Sequence, residues 1–355
     1  MRRARQRAEA RAGDACHAMR ARQPQKNDSS ITRSGDTTIM ASTTPTPVAV
    51  DNAQPKPRPH LDRLLEQARA KGAIPVAVAY PCDAGSLQAA MQAADAGLIK
   101  PLLVGPRQRI EQAAAQADID LGQAQIHDTP DDPRAAAAQA AALCRDGAAR
   151  ALMKGSLHSD ELLGAAVARE AGLRGGRRAS HVFVMDMPGM ERPLLMTDCV
   201  VNIFPDLMAK RDIAQNAIEL AQSIGIATPR VAILSAVETV NPAIPGTIDA
   251  AALAKMADRG QITGGIVDGP LAYDNAISLR SAQNKGIASE VAGRPDVLLV
   301  PSLEAGNMIY KQLVYMADAE CAGLVLGMRV PIVLTSRSDS VQARIASCAL
   351  AVLAS

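Results

Sequence analysis

From residue 60 onward, short aliphatic runs alternate with amphipathic stretches of roughly ten to fifteen residues, and that rhythm restricts the chain to βαβ units and a parallel sheet. The spacing predicts helices over 61–70, 87–96, 108–117 and 133–145, separated by strands over 75–80, 101–104, 125–126 and 151–154. Gly72 and Gly105-Pro106 punctuate this series as stop signals. A second region follows the connection LRGGRRASHVFVMDMPG. There, strands over 181–185 and 195–201 are separated by the turn PGMERP, so close that an antiparallel pair within a mixed sheet is expected. A long amphipathic helix over 206–224 comes next, followed by strands over 230–234, 265–268, 297–300 and 323–326. Helices over 250–258 and 308–319 and a helical turn over 281–284 fall between those strands. The chain closes with an apolar run over 331–334, the polar segment TSRSDS, and a helical pattern from Ser340.

Composition sharpens this frame. A chain of 355 residues suggests about two domains. Aromatic residues make up only 2% with no Trp, which argues against base-stacking platforms for single-stranded nucleic acid. The six cysteines are scattered without a CxxC or Cys/His cluster, so the sequence suggests neither a zinc site nor a disulfide framework. Their apolar surroundings fit buried free thiols in a reducing compartment. Residues 1–26 carry a net charge of +6 against +2 for the whole chain, leaving −4 elsewhere and no nucleic-acid footprint on the body. No apolar run approaches the ~18 residues a membrane span needs, and the Arg-rich start lacks the apolar core of a signal peptide. A cytoplasmic location is expected.

Residues 1–58 show no apolar period and are rich in Arg, Ser, Thr, Pro and Gln, a composition that reads as a disordered tail. Three explanations compete: a transit peptide, a basic tail for polyanions, or a start assigned too far upstream. Met40, followed by ASTTPTPVAV, is the favoured genuine start.

Five polar segments carry chemistry. KGSLHSDELL (154–163) places Lys154 at a strand end and His158, Ser159 and Asp160 at a helix start; a cap by Ser159 or Asp160 is the competing explanation. GLRGGRRASHVF (172–183) sets Arg174, Arg177 and Arg178 around a Gly pair, suited to phosphate or simply a solvated basic loop. DGPLAYDNAIS (268–278) crowds two carboxylates and Asn275 into one strand-end loop, for acid–base work, a metal, or an N-cap at Asp274. LLVPSLEAGNMIYKQL (298–313) puts Glu304 and Asn307 at a strand-to-helix junction, where Ser302 or Asn307 can cap. In TSRSDS, Asp339 and Ser340 read as caps, Asp339 forming a capping-box-like pair with Gln342, whereas a cap needs no guanidinium like that of Arg337. Convergent strand ends of this kind suggest a cleft for a phosphate-bearing ligand. No dinucleotide fingerprint appears.

MKGSLHSDELL, GLRGGRRASHVFVMD, DGPLAYDNAIS, PDVLLVPSLEAGNMIYKQL and PIVLTSRSDS with its helix run in order from about Ala73 to the C-terminus. Together they resemble the phosphate acetyl/butyryltransferase family. The resemblance implies a two-domain, three-layer α/β/α subunit with mostly parallel sheets and an active-site cleft between the domains. On this expectation 59–175 with 327–355 form the first domain and 176–326 an inserted second one. It implies a homodimer, coenzyme A as a substrate and no tightly bound cofactor, no metal in the chemistry, and no nucleic-acid or membrane partner. The reaction implied is acyl-CoA plus phosphate giving acyl phosphate plus coenzyme A, with acetyl the first expectation and butyryl the alternative. A non-catalytic acyl-CoA-sensing module is the reading from a different class.

The family's Ser-Arg pair at the end of the last strand matches Ser336-Arg337. The resemblance gives Ser336 the coenzyme A sulfur and Arg337 the charge of the acyl phosphate and departing phosphate. Where the acetyltransferase branch carries a catalytic Asp in a pattern like EDIV, this chain reads QARIA; Asp339 is the carboxylate left nearby. Lys154, His158, Arg177, Asn275, Glu304, Asn307 and Tyr315 are the substrate-binding residues expected, Tyr315 standing where the acetyl branch has an Arg.

Overall fold

A computed structural model describes residues 57–334 and 339–355. Eleven strands form one sheet in the order β3-β2-β1-β4-β11-β10-β5-β6-β9-β7-β8. They are β1 Ile74–Ala79, β2 Ile99–Gly105, β3 Gln125–Asp128, β4 Ala151–Lys154, β5 Ser180–Asp186, β6 Leu194–Thr197, β7 Arg230–Leu234, β8 Ile266–Leu271, β9 Val297–Leu299, β10 Glu320–Leu326 and β11 Ile332–Val333. The pairs β1/β2, β1/β4, β2/β3, β4/β11, β6/β9, β7/β9 and β7/β8 are parallel. Among the described residues the antiparallel strand pairs are β11/β10, β10/β5 and β5/β6. The expected antiparallel pair is therefore β5 with β6.

Alternation along the strands explains why helices cover both faces. Val76 and Val78 of β1 join one buried cluster while Ala77 and Ala79 join another. In β7, Val231 and Ile233 face one layer, and Ala232 and Leu234 the opposite one. Strands apolar on both faces need cover on both, and the result is three layers. The final helix, Val341–Ala354, packs against β10 and against the helix Pro59–Lys71. Its interior side is small and aliphatic, with Ala346, Ala349, Leu350 and Val352 fully buried. The N-terminus of Pro59–Lys71 is capped from a distance: the Asp186 carboxylate at the end of β5 accepts from the backbone of His60 (2.7 Å) and Leu61 (3.1 Å).

Three expectations shift. The strand expected over 195–201 stops at Thr197, because the Asp198 carboxylate accepts from the backbone N–H groups of Val200, Val201 and Asn202 and turns the chain out of the ladder. The helix expected over 308–319 already begins at Leu303, capped by Ser302; Glu304 and Asn307 therefore lie inside its first turns. The helix expected from 250 starts at Pro245, a residue whose fixed φ suits a first helical position.

Sheet direction decides which loops meet. With β10 antiparallel to β11 and β6 antiparallel to β5, strands β6, β9, β7 and β8 run opposite to β1–β4 and β11. The carboxyl ends of the two groups lie at opposite ends of the sheet. The convergence of all the polar strand ends expected from sequence is thus divided in two.

Candidate active site

At the carboxyl end of β1 and β4 the backbone itself is the scaffold. Gly155 donates to Ala79 O and Ser156 to Tyr80 O (2.9 Å each). A Cβ at Gly155 would fall on Ala79 O and within 2.6 Å of Tyr80 O, so only glycine allows this approach. Ser156 Oγ donates to Tyr80 O at 2.7 Å and accepts from the Cys82 N–H at 3.1 Å. Lys154 Nζ donates to the carbonyls of Gly155 (3.3 Å) and Leu157 (3.2 Å), curling the loop beneath the ammonium. His158 is exposed, and its backbone N–H is held by Glu161 Oε2 at 2.9 Å, so this residue heads the helix Ser159–Val167.

Sequence reasoning missed the residues that brace this corner. Tyr80 takes φ +52° and is buried. Its hydroxyl donates to Asp131 Oδ1 at 2.5 Å and accepts from Arg109 at 2.6 Å, and Arg109 also reaches Asp131 at 2.9 Å. Burial and the Asp131 hydrogen bond push the tyrosine hydroxyl up to about 12. Burial likewise pushes the neighbouring Cys82 thiol up to about 11. The available signal was that Tyr80, one of four tyrosines, ends an otherwise aliphatic strand.

The register of β11 on β4 pairs Val333 with Met153, which brings Leu334 alongside Lys154. Ser336 and Arg337, with Thr335 and Ser338, lie outside the described residues. The chain re-enters at Asp339. Asp339 lines a hollow of about 260 Å³ together with Tyr310, Tyr315, Cys321 and Ser340. The cap of the last helix is Ser340, whose Oγ accepts from Ala343 N at 3.0 Å and donates to Glu320 at 2.6 Å; Asp339 precedes the cap and is not it. Tyr310 stacks on Phe183 with centroids 4.0 Å apart and planes within 4°. Its hydroxyl accepts from Cys321 Sγ at 3.7 Å. Burial, with the charge of Asp339 adding to it, raises the Cys321 thiol to about 12 and raises the Tyr310 hydroxyl well above its ordinary value. Both groups are therefore neutral at ordinary pH and present a weakly polar wall. Tyr315 is 78% exposed at the rim. The arrangement offers a carboxylate, an aromatic wall and the lysine Lys311 in its lining.

The remaining residues expected in the site sit elsewhere. Arg177 forms a bidentate ion pair with Glu219 (2.5 Å) beside Arg150, at the amino end of β4 and so opposite Lys154. Glu304 and Asn307 occupy the amino end of the helix Leu303–Met316, whose other end carries Tyr315; Asn307 Nδ2 donates to Cys199 O at 3.4 Å. Asn275 is fully buried beyond β8, donating to Glu238 at 3.2 Å. Glu238 and Asp274 share Lys285. Lys285 hydrogen-bonds Glu238 and holds its carboxyl below the usual range; Ser281, then Lys285, do the same for Asp274. Among the described residues, no three His, Cys, Asp or Glu side chains gather as a metal site.

Comparison with known proteins identifies the family. The family described as phosphate acetyl/butaryl transferase matches residues 132–352. A phosphate acetyltransferase of Rhizobium meliloti is 58% identical over 82% of this chain and 92% of its own length. A phosphate butyryltransferase of Clostridium beijerinckii is 40% identical over 83% and 97%. Among solved structures, a branched-chain phosphotransacylase from Enterococcus faecalis superposes with a TM-score of 0.70 at 29% identity, covering 79% of this chain and 98% of that one. A phosphotransacetylase from Streptococcus pyogenes shares the fold with a TM-score of 0.71. The chain belongs to the phosphate acetyl/butyryl transferase family.

Proposed function

We propose that this chain is a phosphate acyltransferase that moves an acetyl group between coenzyme A and inorganic phosphate. One observation carries the reading: the segment bearing Ser336-Arg337 joins Leu334, beside Lys154, to Asp339, which faces Tyr310 and Tyr315. The coenzyme A sulfur attacks the acyl carbonyl carbon, the bond from that carbon to the phosphate oxygen breaks, and phosphate departs. A thiol of pKa ~8.5 is a weak nucleophile until its thiolate form is stabilised, the task given to Ser336. Arg337, aided by Lys154, neutralises the phosphate, and Asp339 is the carboxylate at hand for the thiol proton. Holding both substrates in one ternary complex supplies the entropic part of the acceleration.

The two halves of the sheet, 59–175 with 327–355 and 176–326, form the two domains of this reading. A homodimer is supported by an apolar surface on the second half. One of the chain's two phenylalanines, Phe204, is 76% exposed, with Ile203 and Met308 also more than half exposed. The Leu303 N–H donates to Ile203 O, which joins that loop to the helix bearing Met308. Among the described residues no helix is long and apolar enough to cross a membrane; with the scattered thiols this supports a cytoplasmic enzyme.

Acetyl-CoA should release free thiol only when phosphate is present, with no added metal; equal release without phosphate overturns the assignment. Arg337→Ala should raise the phosphate requirement far more than Ser336→Ala, and wild-type rates in both variants would place the site elsewhere. The weakly polar wall of Tyr310, Val314 and Cys321 favours a second reading with a longer acyl chain. Comparing acetyl-, propionyl- and butyryl-CoA in one assay decides between them.

A further inference from the structure

At the end of β4 away from Lys154, a hollow of about 470 Å³ opens between the helix Leu207–Ser223, the turn linking β10 to β11, and the C-terminus of the last helix. Three arginines line it from three separate segments: Arg150 before β4, Arg177 before β5, and Arg329 in the β10–β11 turn. Glu219 already neutralises Arg177 through two hydrogen bonds. Among the described residues Arg329 meets only a neutral acceptor, Gly172 O, at 3.2 Å. Among the described residues Arg150 has no side-chain hydrogen bond or ion pair. The chain's last residue, Ser355, also lines the hollow, and Lys71 Nζ donates to its O at 2.9 Å. Two positive charges are thus left over at a concave surface, in a body whose net charge is negative. Cys144, Leu220 and Leu353 form an apolar side to the hollow, which strengthens any ion pair made there.

We propose that this hollow binds a small organic dianion whose two carboxylates take Arg150 and Arg329. Each guanidinium presents a fork that matches a carboxylate bidentately. Arg329 sits in the turn that feeds β11, and β11 is two residues long and leads straight into TSRSDS. A ligand that fixes this turn against Arg150 bears on the strand delivering Ser336 and Arg337, so occupancy also alters turnover. The binding half of this inference stands alone; the effect on turnover rests on the transferase reading.

Succinate is the probe. Calorimetric titration of the full chain, with sodium chloride matching the ionic strength, should show saturable binding at one site. Arg150→Gln and Arg329→Gln should each weaken it by about tenfold, and Arg150→Lys should restore part of the loss. Basal acetyl-CoA turnover should stay unchanged in these exposed variants. In wild type, succinate should shift the KM for phosphate about twofold or more, and in the double variant it should not. Absence of saturable binding overturns the proposal. So does equal binding in wild type and double variant, which would put succinate at the substrate site. Binding that the variants abolish but that leaves turnover untouched overturns the regulatory half. An enzyme with no phosphate-dependent turnover that still binds succinate through Arg150 would fault the transferase reading and leave the site standing.

Discussion

The polar clusters at the carboxyl ends of the two sheet halves use the same ingredients and couple to the fold differently. Beyond β1 and β2, Arg109 and Asp131 meet on the hydroxyl of a buried tyrosine. Beyond β7 and β8, Lys285 bridges Glu238 and Asp274 on two short helical segments. Both ion pairs are about half exposed, and screened pairs of that kind contribute little by themselves. The difference lies in what each cluster holds. Tyr80 lends its own carbonyl to three donors, Ser156 N–H, Ser156 Oγ and Cys82 N–H, so its side chain positions the loop that carries Lys154. Lys285 meets the side chains of Glu238 and Asp274, and the backbone hydrogen bonds of those two carboxylates stay within their own segments, at Glu238 and Asn275. Polar networks matter to a site when they fix backbone.

The sharpest way to break this contrast is at the glycine. Gly155→Ala drives a methyl into the Ala79 and Tyr80 carbonyls, both main-chain atoms of a buried strand end. It should cost about 3 kcal/mol and most of the acyl transfer activity. At the other end Gly246→Ala meets Ser235 Oγ at 3.4 Å and Pro301 Cβ at 3.9 Å, both ordinary contacts, and should be close to neutral. Urea midpoints and phosphate-dependent thiol release on the two variants check both statements; equal losses would dissolve the distinction.

Next in size is the hydroxyl. Tyr80→Phe removes both hydrogen bonds while Arg109 and Asp131 keep each other, for a loss of about 1 kcal/mol. The KM for phosphate should rise more than kcat falls, because the loop bearing Lys154 loosens. The pH dependence has a definite sign. Burial raises the folded-state pKa of Tyr80 to about 12 and of Cys82 to about 11, above their free values. Stability from these groups is complete below the free values and drains as pH rises through the folded ones. Alkaline unfolding between about pH 9 and 12 should be shallower in Tyr80→Phe than in wild type. An unchanged alkaline limb would show that the hydroxyl is not held protonated by the fold.

These residues also mark where sequence reading succeeds. Strand and helix positions were legible because alternation and 3.6-residue spacing are local, so Pro133–Arg145, Ala151–Lys154 and Arg230–Leu234 fall where the pattern puts them. Strand direction was not, because no local signal tells that β10 and the β5–β6 pair reverse the second half of the sheet. That reversal separates Glu304, Asn307 and Asn275 from Lys154, whereas Arg177 is apart because it precedes β5, which runs with β4 and so has its amino end away from Lys154; all four belong to polar segments that sequence identifies well. The Tyr80–Arg109–Asp131 contact joins three strand ends across 51 residues of sequence, and only the fold shows it.

The smallest expected effect tests the other half. Lys285→Met leaves Glu238 and Asp274 without their shared cation, yet all three are substantially exposed and water replaces much of what is lost. Its Tm should drop by about 1 °C or less at neutral pH, and phosphate-dependent turnover should hold. The sign differs from that at Tyr80. Lys285 holds the Glu238 carboxyl below its free value, and Ser281 with Lys285 does so for Asp274, so their contribution is present above the free values and is lost as pH falls through the folded ones. Wild type and Lys285→Met should therefore converge in Tm below about pH 4. Convergence on the alkaline side instead, where Tyr80 and Cys82 titrate, would mean that the two clusters are one coupled system rather than two independent ends of the sheet.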